Sequence, residues 1–418
     1  MEEKTIHDPV HGSIKIKGII LALTDTAEVQ RLRGIKQLGL ANIAFPGANH
    51  SRFEHALGTA HLAESVGAVL GLSAEEREMV MIAALLHDIG HAPFSHTLEY
   101  LMVDFLKKDH MEITGNIIEG KLPVAPEEEL GRIGVPTVNE LLERRGISTR
   151  EISQLLLGKH RRKYLGDLLH SEVDVDQMDY LLRDSHFTGV ALGLVDVHRL
   201  SSILRIKGGK LCILSKGVEA VEGLLTARGL MYSSVYFHHT VRSAEMMLAN
   251  AVDRALRDGN LDRETFFLMN DSQLIVSLER CGGYPAEIVQ RLKYRRLFKS
   301  ALVEQRRDLT REEKREYLKR FGRWGKVQKL QEEIADAAGV ERGMVILDVP
   351  VVDIIISEPR LEKVEMPVIS DGKILSLSKV SPLAPALKKR QAPRYFLRVL
   401  TDEKYRAKVK KAAERVLF

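Results

Sequence analysis

Residues 83–96, AALLHDIGHAPFSH, run from an apolar stretch straight into His87, Asp88, His91 and His96. Imidazole nitrogens and carboxylate oxygens are the donors that borderline divalent metals accept, and a helix that is only core has no use for so many of them. Two other stretches add donors. RFEHALGTAHL puts His55 at the start of a helix, and HSEVDVDQMDYLLRDSHF carries Asp174, Asp176, Asp179 and Asp184. Asp176, Tyr180 and Asp184 recur at i, i+4 and i+8 and share one helical face, with Asp179 close to it. Val173, Val175, Met178, Leu181 and Leu182 leave that helix little ordinary surface. Carboxylates crowded against core residues need a cation to face. Two imidazoles and two carboxylates make an N/O site for Mn, Fe, Ni, Zn or Mg with positions left open for water and substrate, which is the layout of a hydrolytic centre. A lone histidine near a helix end is more often structural, so the case rests on the three stretches together.

The elements that must position these groups are mainly helical. Residues 6–16 read as a β-hairpin or edge strand, and DTAEVQRLRGIKQLG as an amphipathic helix with Thr24 or Asp25 as N-cap, broken by FPGANHSR. Helical patterns follow at about 53–71, 74–89, 93–107, 109–119, 137–145, 149–157 and 173–184, with 120–135 as an exposed connection. LRIKGGKLCIL is a hairpin around Gly208 and Gly209, and residues 216–258 form one long helical pattern. After residue 340 the texture changes: VILDVPVVDIIIS, VEMPVIS and KILSLSKV are β-branched runs, with Asp371-Gly372 as a turn, followed by the strand RYFLRVL and a basic helix. We therefore expect a mainly α fold with small hairpins, divided into a 1–340 body and a 341–418 α/β appendage packed on the body or at a subunit interface.

At 418 residues the chain can bury a large core without staples, and Cys212 and Cys281 lack any disulfide or zinc spacing. The sequence carries no secretion signal and no apolar run long enough for a membrane span, so a cytoplasmic protein without membrane contact is expected. The net charge is only +5. Arg291, Lys293, Arg295, Arg296 and Lys299 crowd together, yet we favour a solvated helix face with subunit contacts over a single-strand nucleic-acid footprint.

His55, the His87-Asp88 pair and Asp176 match the H…HD…D signature of the HD-domain phosphohydrolase superfamily. DPVHGSIKI, DTAEVQRLRGIKQLG, FPGANHSRFEHALG, LLHDIGHAPFSH and DVDQMDYLLRDSHFTG, spread over roughly residues 4–260, narrow the match. Together they resemble the deoxynucleoside-triphosphate triphosphohydrolase branch. The resemblance implies that His55, His87, Asp88 and Asp176 hold the metal, and that a dNTP is hydrolysed at the α-phosphorus to deoxynucleoside and triphosphate. It implies catalytic roles for His96, supported by Glu99 and His110, and an active-site role for His91 near the α-phosphate. The usual supporting acid is Asp, so Glu99 departs by one methylene. Arg52 matches a phosphate-binding arginine, Gln37 and Leu38 contact the deoxyribose, and Tyr180 and Asp184 belong to the same sugar pocket. Gln177 stands where the human member has a phosphate-facing lysine. His239 and Arg242 fall where the family places phosphate and base contacts. Lys4, Asp25, Gln30 and Arg33 match positions that bind an activating guanine nucleotide between subunits, which implies a homo-oligomer, dimer or tetramer, responsive to GTP or a dNTP. Two alternatives stand beside this: an HD-superfamily phosphohydrolase for another nucleotide or phosphoester, and a nucleotide- or single-strand nucleic-acid-binding protein without turnover.

Overall fold

A computed structural model of the chain describes residues 3–305, 311–350, 366–390 and 395–418. The fold is mainly α, with three small sheets among the described residues. No helix among them is long and apolar enough to cross a membrane.

The centre of the body is the helix Ala74–Leu86, whose residues Ile82 to Leu86 are fully buried. A Ser73/Glu76 capping box starts it, each side chain satisfying the other residue's backbone N–H. Helix Arg52–Val69 packs along it, and helix Val175–Thr188 packs on Arg52–Val69 in turn. The small residues of HALGTAHLA let these backbones approach closely. Asp174 caps Val175–Thr188 by accepting from the Gln177 N–H at 2.8 Å, and Gly189 ends it in the left-handed conformation.

The N-terminal hairpin forms between Glu3–Asp8 and Gly12–Lys17, and LRIKGGKLCIL makes the hairpin Leu204–Lys207/Lys210–Leu214. The stretch after it differs from expectation. Thr26, not Thr24 or Asp25, caps Ala27–Arg31 by accepting from the Val29 N–H; Thr24 and Asp25 instead close a separate helix, Gly18–Thr24. The capped helix is short, passes into a 3-10 turn at Leu32–Gly34, and gives way to a bridge between Lys36 and Ser51. The buried Asp271 carboxylate draws the chain out there, taking the Lys36 N–H at 3.0 Å and the Phe94 N–H at 2.7 Å. The 120–135 connection contains a short helix, Glu127–Ile133, and helix Lys163–His170 lies in a segment that carried no clear pattern. The long 216–258 pattern is two helices, Val218–Met231 and His239–Arg257, separated by a π-turn at Tyr232–Tyr236.

The β-branched segments distribute over two sheets. Val345–Asp348 and Lys299–Gln305 flank Tyr395–Thr401 in an antiparallel sheet, whereas Pro367–Ser370 pairs with Lys373–Ser376 through the Asp371-Gly372 turn and lies parallel to Lys210–Leu214. Residues 341–418 thus pair with strands on both sides of position 340. The VVDIIIS half of the first run lies outside the described residues.

Candidate metal centre and substrate cavity

His55 sits in the first turn of Arg52–Val69, His87 caps the end of Ala74–Leu86 with Asp88 following it, and Asp176 sits in the first turn of Val175–Thr188. Packing of these helices brings the ligand atoms of His55, His87 and Asp176 within 4.8 Å of one another. His55 Nε2 lies 2.9 Å and His87 Nε2 3.7 Å from Asp176 Oδ1. Asp88 joins from the other side, Oδ1 3.2 Å from His87 Nε2 and Oδ2 3.8 Å from His55 Nε2. Asp176 retains 31% side-chain exposure against 1% for His55, so the cluster opens on the Asp176 side.

The donor set fits a divalent cation. His87 Nδ1 donates to the Ala84 carbonyl at 2.7 Å, which fixes the tautomer and turns Nε2 into the cluster, where this buried nitrogen has no hydrogen bond. His55 Nδ1 lies 2.7 Å from Asp179 Oδ2, so its Nε2 is the nitrogen turned into the cluster, toward Asp176. Burial works against a charged His55, but its hydrogen bonds to Asp176 and Asp179 outweigh that and hold its pKa up at about 10. Three carboxylates packed against two imidazoles call for positive charge, which suits a divalent cation. Asp88 is held well below the usual carboxylate range: burial opposes ionisation, and the Arg52 guanidinium and neighbouring imidazoles overcome it. Burial and the charge of Asp176 push Asp174 up to about 7.

A second histidine group adjoins the first. His91 Nε2 lies 3.3 Å from Asp88 Oδ1, and its ring stacks on His110 at 4.1 Å. Gly90 permits this. A Cβ there would stand 2.4 Å from the His110 carbonyl oxygen, so any larger residue would push helix His110–Ile118 away. Glu99 Oε1 takes both the His110 backbone N–H at 3.0 Å and its ring Nδ1 at 2.8 Å. His91 is kept neutral by burial first and by the charges of Arg52 and His110 second. His96 is half exposed, with Nδ1 3.8 Å from Glu99 Oε2. It follows two consecutive left-handed residues, Phe94 (φ 58°) and Ser95 (φ 57°), each costing about 1–3 kcal/mol. Asp271 holds the Phe94 N–H and Arg52 Nε holds Ser95 Oγ at 2.7 Å, so the strained turn is pinned from both sides.

Beside these groups lies a cavity enclosing about 990 Å³ including its mouth. Gln37, Leu38, Arg52, His96, Glu99, Tyr180, Asp184 and Arg242 all line it, together with Tyr232 and Tyr236. Asp184 is fixed between His50 Nε2 at 2.8 Å and the Tyr236 hydroxyl at 2.7 Å. Arg242 is held by Asp348 at 2.7 Å. Gln177 and His239 are not among the lining residues: Gln177 accepts from Arg228 Nη1 at 3.0 Å, and the His239 ring packs on His238. Lys4 and Asp25 face each other at 4.0 Å on the surface, and Gln30 bonds the Thr24 carbonyl at 2.7 Å and Arg33 at 2.8 Å, which links these residues into one face. In the basic stretch, Arg291 is neutralised by Glu287 and Asp402, both at 2.8 Å. Asp179 is the site residue that sequence spacing left without a role; its place three residues after Asp176 was the available signal.

The model for the HD domain matches residues 52–184, which span the whole ligand set, and that for the HD associated region matches residues 195–418. The chain belongs to the HD-domain family. Proteins similar to this HD-domain protein include an uncharacterised protein of Methanocaldococcus jannaschii, 33% identical over 92% of this chain and 76% of its own length. The deoxynucleoside triphosphate triphosphohydrolase SAMHD1 homologue of Dictyostelium discoideum is 31% identical over 71% of this chain and 59% of its own, and human SAMHD1 is 26% identical over 71% and 54%. This HD-domain protein therefore spans little more than half the length of those two triphosphohydrolases. The crystal structure of a phosphohydrolase from Bacteroides thetaiotaomicron matches with a TM-score of 0.70 at 25% identity, covering 96% of this chain and all of that one.

Proposed function

We propose that this HD-domain protein is a metal-dependent dNTP triphosphohydrolase that converts a dNTP and water to a deoxynucleoside and triphosphate. One observation carries the reading. Arg52 both touches the metal-ligand candidate Asp88 at 2.5 Å and lines the cavity, so a nucleotide seated there would present its phosphates to Arg52 and the ion together. The names of the Dictyostelium and human relatives point the same way.

The residues divide the work. An ion held by His55, His87, Asp88 and Asp176 would supply Lewis acidity beside the α-phosphorus. Arg52 and Arg242, both on the cavity wall, place permanent charge on the phosphate side. His96 stands on the cavity wall, where it can pass a proton to the departing 5′ oxygen while water forms the new bond to phosphorus. The buried Glu99–His110 pair supports it from behind, with His91 beside them. Tyr180, Asp184, Gln37 and Leu38 form the sugar wall. The Asp184 carboxylate, fixed by two neighbours, is a preorganised acceptor for a sugar hydroxyl.

The pairing of Lys4 with Asp25 and of Gln30 with Arg33, the latter pair tied to the Thr24 carbonyl next to Asp25, supports a second, activating site for GTP or a dNTP in a homo-oligomer.

The test is product analysis after incubation with each dNTP and Mn or Mg, alone and with GTP. Deoxynucleoside and intact triphosphate are expected, with a GTP response from the second face. Release of a monophosphate and pyrophosphate, or turnover of another phosphoester alone, would replace this reading. Mass photometry with and without GTP reads the oligomer.

A further inference from the structure

The DPVHG motif at the N-terminal hairpin has no part in the chemistry above, yet its turn points into the body rather than into solvent. Asp8 and His11 are the residues concerned. Asp8 Oδ1 takes the Val10 and His11 N–H groups at 2.9 and 2.8 Å, which shapes the turn and aims the His11 ring inward. His11 Nε2 then lies 2.6 Å from Asp179 Oδ1. Asp8 Oδ2 takes Arg183 Nη1 at 2.7 Å, and Arg183 donates through Nε and Nη2 to the two oxygens of Asp179, both at 2.9 Å. Asp179 Oδ2 holds His55 Nδ1 at 2.7 Å. Every group in this chain is buried: the His11 side chain is 8% exposed and those of Asp179 and Arg183 are fully enclosed.

We propose that the hairpin is a brace for the metal centre, with His11 and Asp8 as positioning residues that act on His55 through Asp179. The reason is geometric. A histidine ligand keeps its Nε2 on an ion only while its Nδ1–H has a fixed acceptor. Asp179 is such an acceptor only while its carboxylate plane is held, and a carboxylate plane is fixed when both oxygens receive donors from different directions. Arg183 and His11 supply those directions, and Asp8 anchors the first while shaping the turn that carries the second. A segment more than 160 residues away in sequence from Asp179 thereby sets the ring angle of His55. Outer-shell partners of this kind are worth roughly 10–100-fold in metal affinity.

This inference rests on the metal-centre reading, and the experiment separates the two. Full-length protein is loaded with Mn or Zn, and retention is measured against a graded chelator for wild type and for His11→Ala, His11→Gln, Lys15→Ala and Asp176→Ala. Lys15, exposed on the same hairpin, is the control for a general hairpin effect. His11→Ala is expected to release metal at roughly 10–100-fold lower chelator concentration. His11→Gln, whose amide nitrogen reaches about as far as Nε2, should recover most of that loss, Lys15→Ala should match wild type, and Asp176→Ala should hold no ion. If His11→Ala does not fold, His11→Met fills the space without a donor and is compared with His11→Gln in its place. Wild-type retention by the donor-less variant, with Asp176→Ala empty, overturns the brace and leaves the metal centre standing. Equal retention by wild type and Asp176→Ala overturns the metal centre and the brace with it.

Discussion

Arg52 Nη1 stands 2.5 Å from Asp88 Oδ2, so the guanidinium that faces the cavity is also the counter-ion of a metal-ligand candidate. Removing it breaks a buried ion pair and leaves Asp88 only its imidazole neighbours, a change that typically costs about 3–5 kcal/mol. Arg52→Ala should therefore lower the melting temperature and abolish turnover together. Arg52→Lys retains charge but cannot hold both Asp88 and Ser95 Oγ, so it should fold and turn over poorly. Thermal melts and initial rates decide this, and an Arg52→Ala protein with wild-type turnover would remove Arg52 from the site.

Gly58 offers a packing test of the same centre. A Cβ there would fall 1.9 Å from Asp179 Oδ1 and 2.4 Å from Arg183 Nη2, side chains locked in place by their own ion pair. Gly58→Ala, ordinarily favourable in a helix interior, should instead destabilise the protein by about 1–3 kcal/mol and weaken metal retention. A stabilised variant with unchanged metal content would show that Asp179 can move freely.

The Glu99–His110 pair predicts a pH signature. Burial opposes charge on both, but each outweighs it for the other: Glu99 is held well below 4.5 and His110 is raised above 6.5. The Glu99 contribution is present above pH 4.5 and fades as pH falls through its depressed value. The His110 contribution is present below pH 6.5 and fades as pH rises through its raised value. The melting-temperature gap between wild type and His110→Gln should thus be widest between about pH 4.5 and 6.5 and narrow on either side. A gap that widens steadily toward alkaline pH would show that the pair is not ionised.

Asp348 ties the C-terminal sheet to the cavity. Fully buried, it takes Arg242 Nη2 at 2.7 Å and Arg398 Nη2 at 2.8 Å. Asp348→Ala should cost about 3–5 kcal/mol and raise the KM for nucleotide by loosening Arg242. An unchanged KM in a folded variant would confine Asp348 to a structural role.

The sequence by itself determined the family and the candidate ligands, because a motif is local: His55, His87-Asp88 and Asp176 each sit at a helix end that caps and apolar spacing already mark. It determined the helical body and the hairpins at Gly208-Gly209 and Asp371-Gly372 for the same reason. Tertiary structure decided the rest. The helix expected after Asp25 is cut short by Asp271, which lies more than 200 residues away along the chain and takes the Lys36 and Phe94 N–H groups. The strands after residue 340 find partners at 204–214 and 299–305, since a strand's hydrogen bonds go to whatever edge the fold presents, not to its neighbour in sequence. Asp179 and His11 gain their meaning only from burial beside His55: spacing can put a carboxylate on a helix face, but what that carboxylate holds depends on which distant backbone is packed against it.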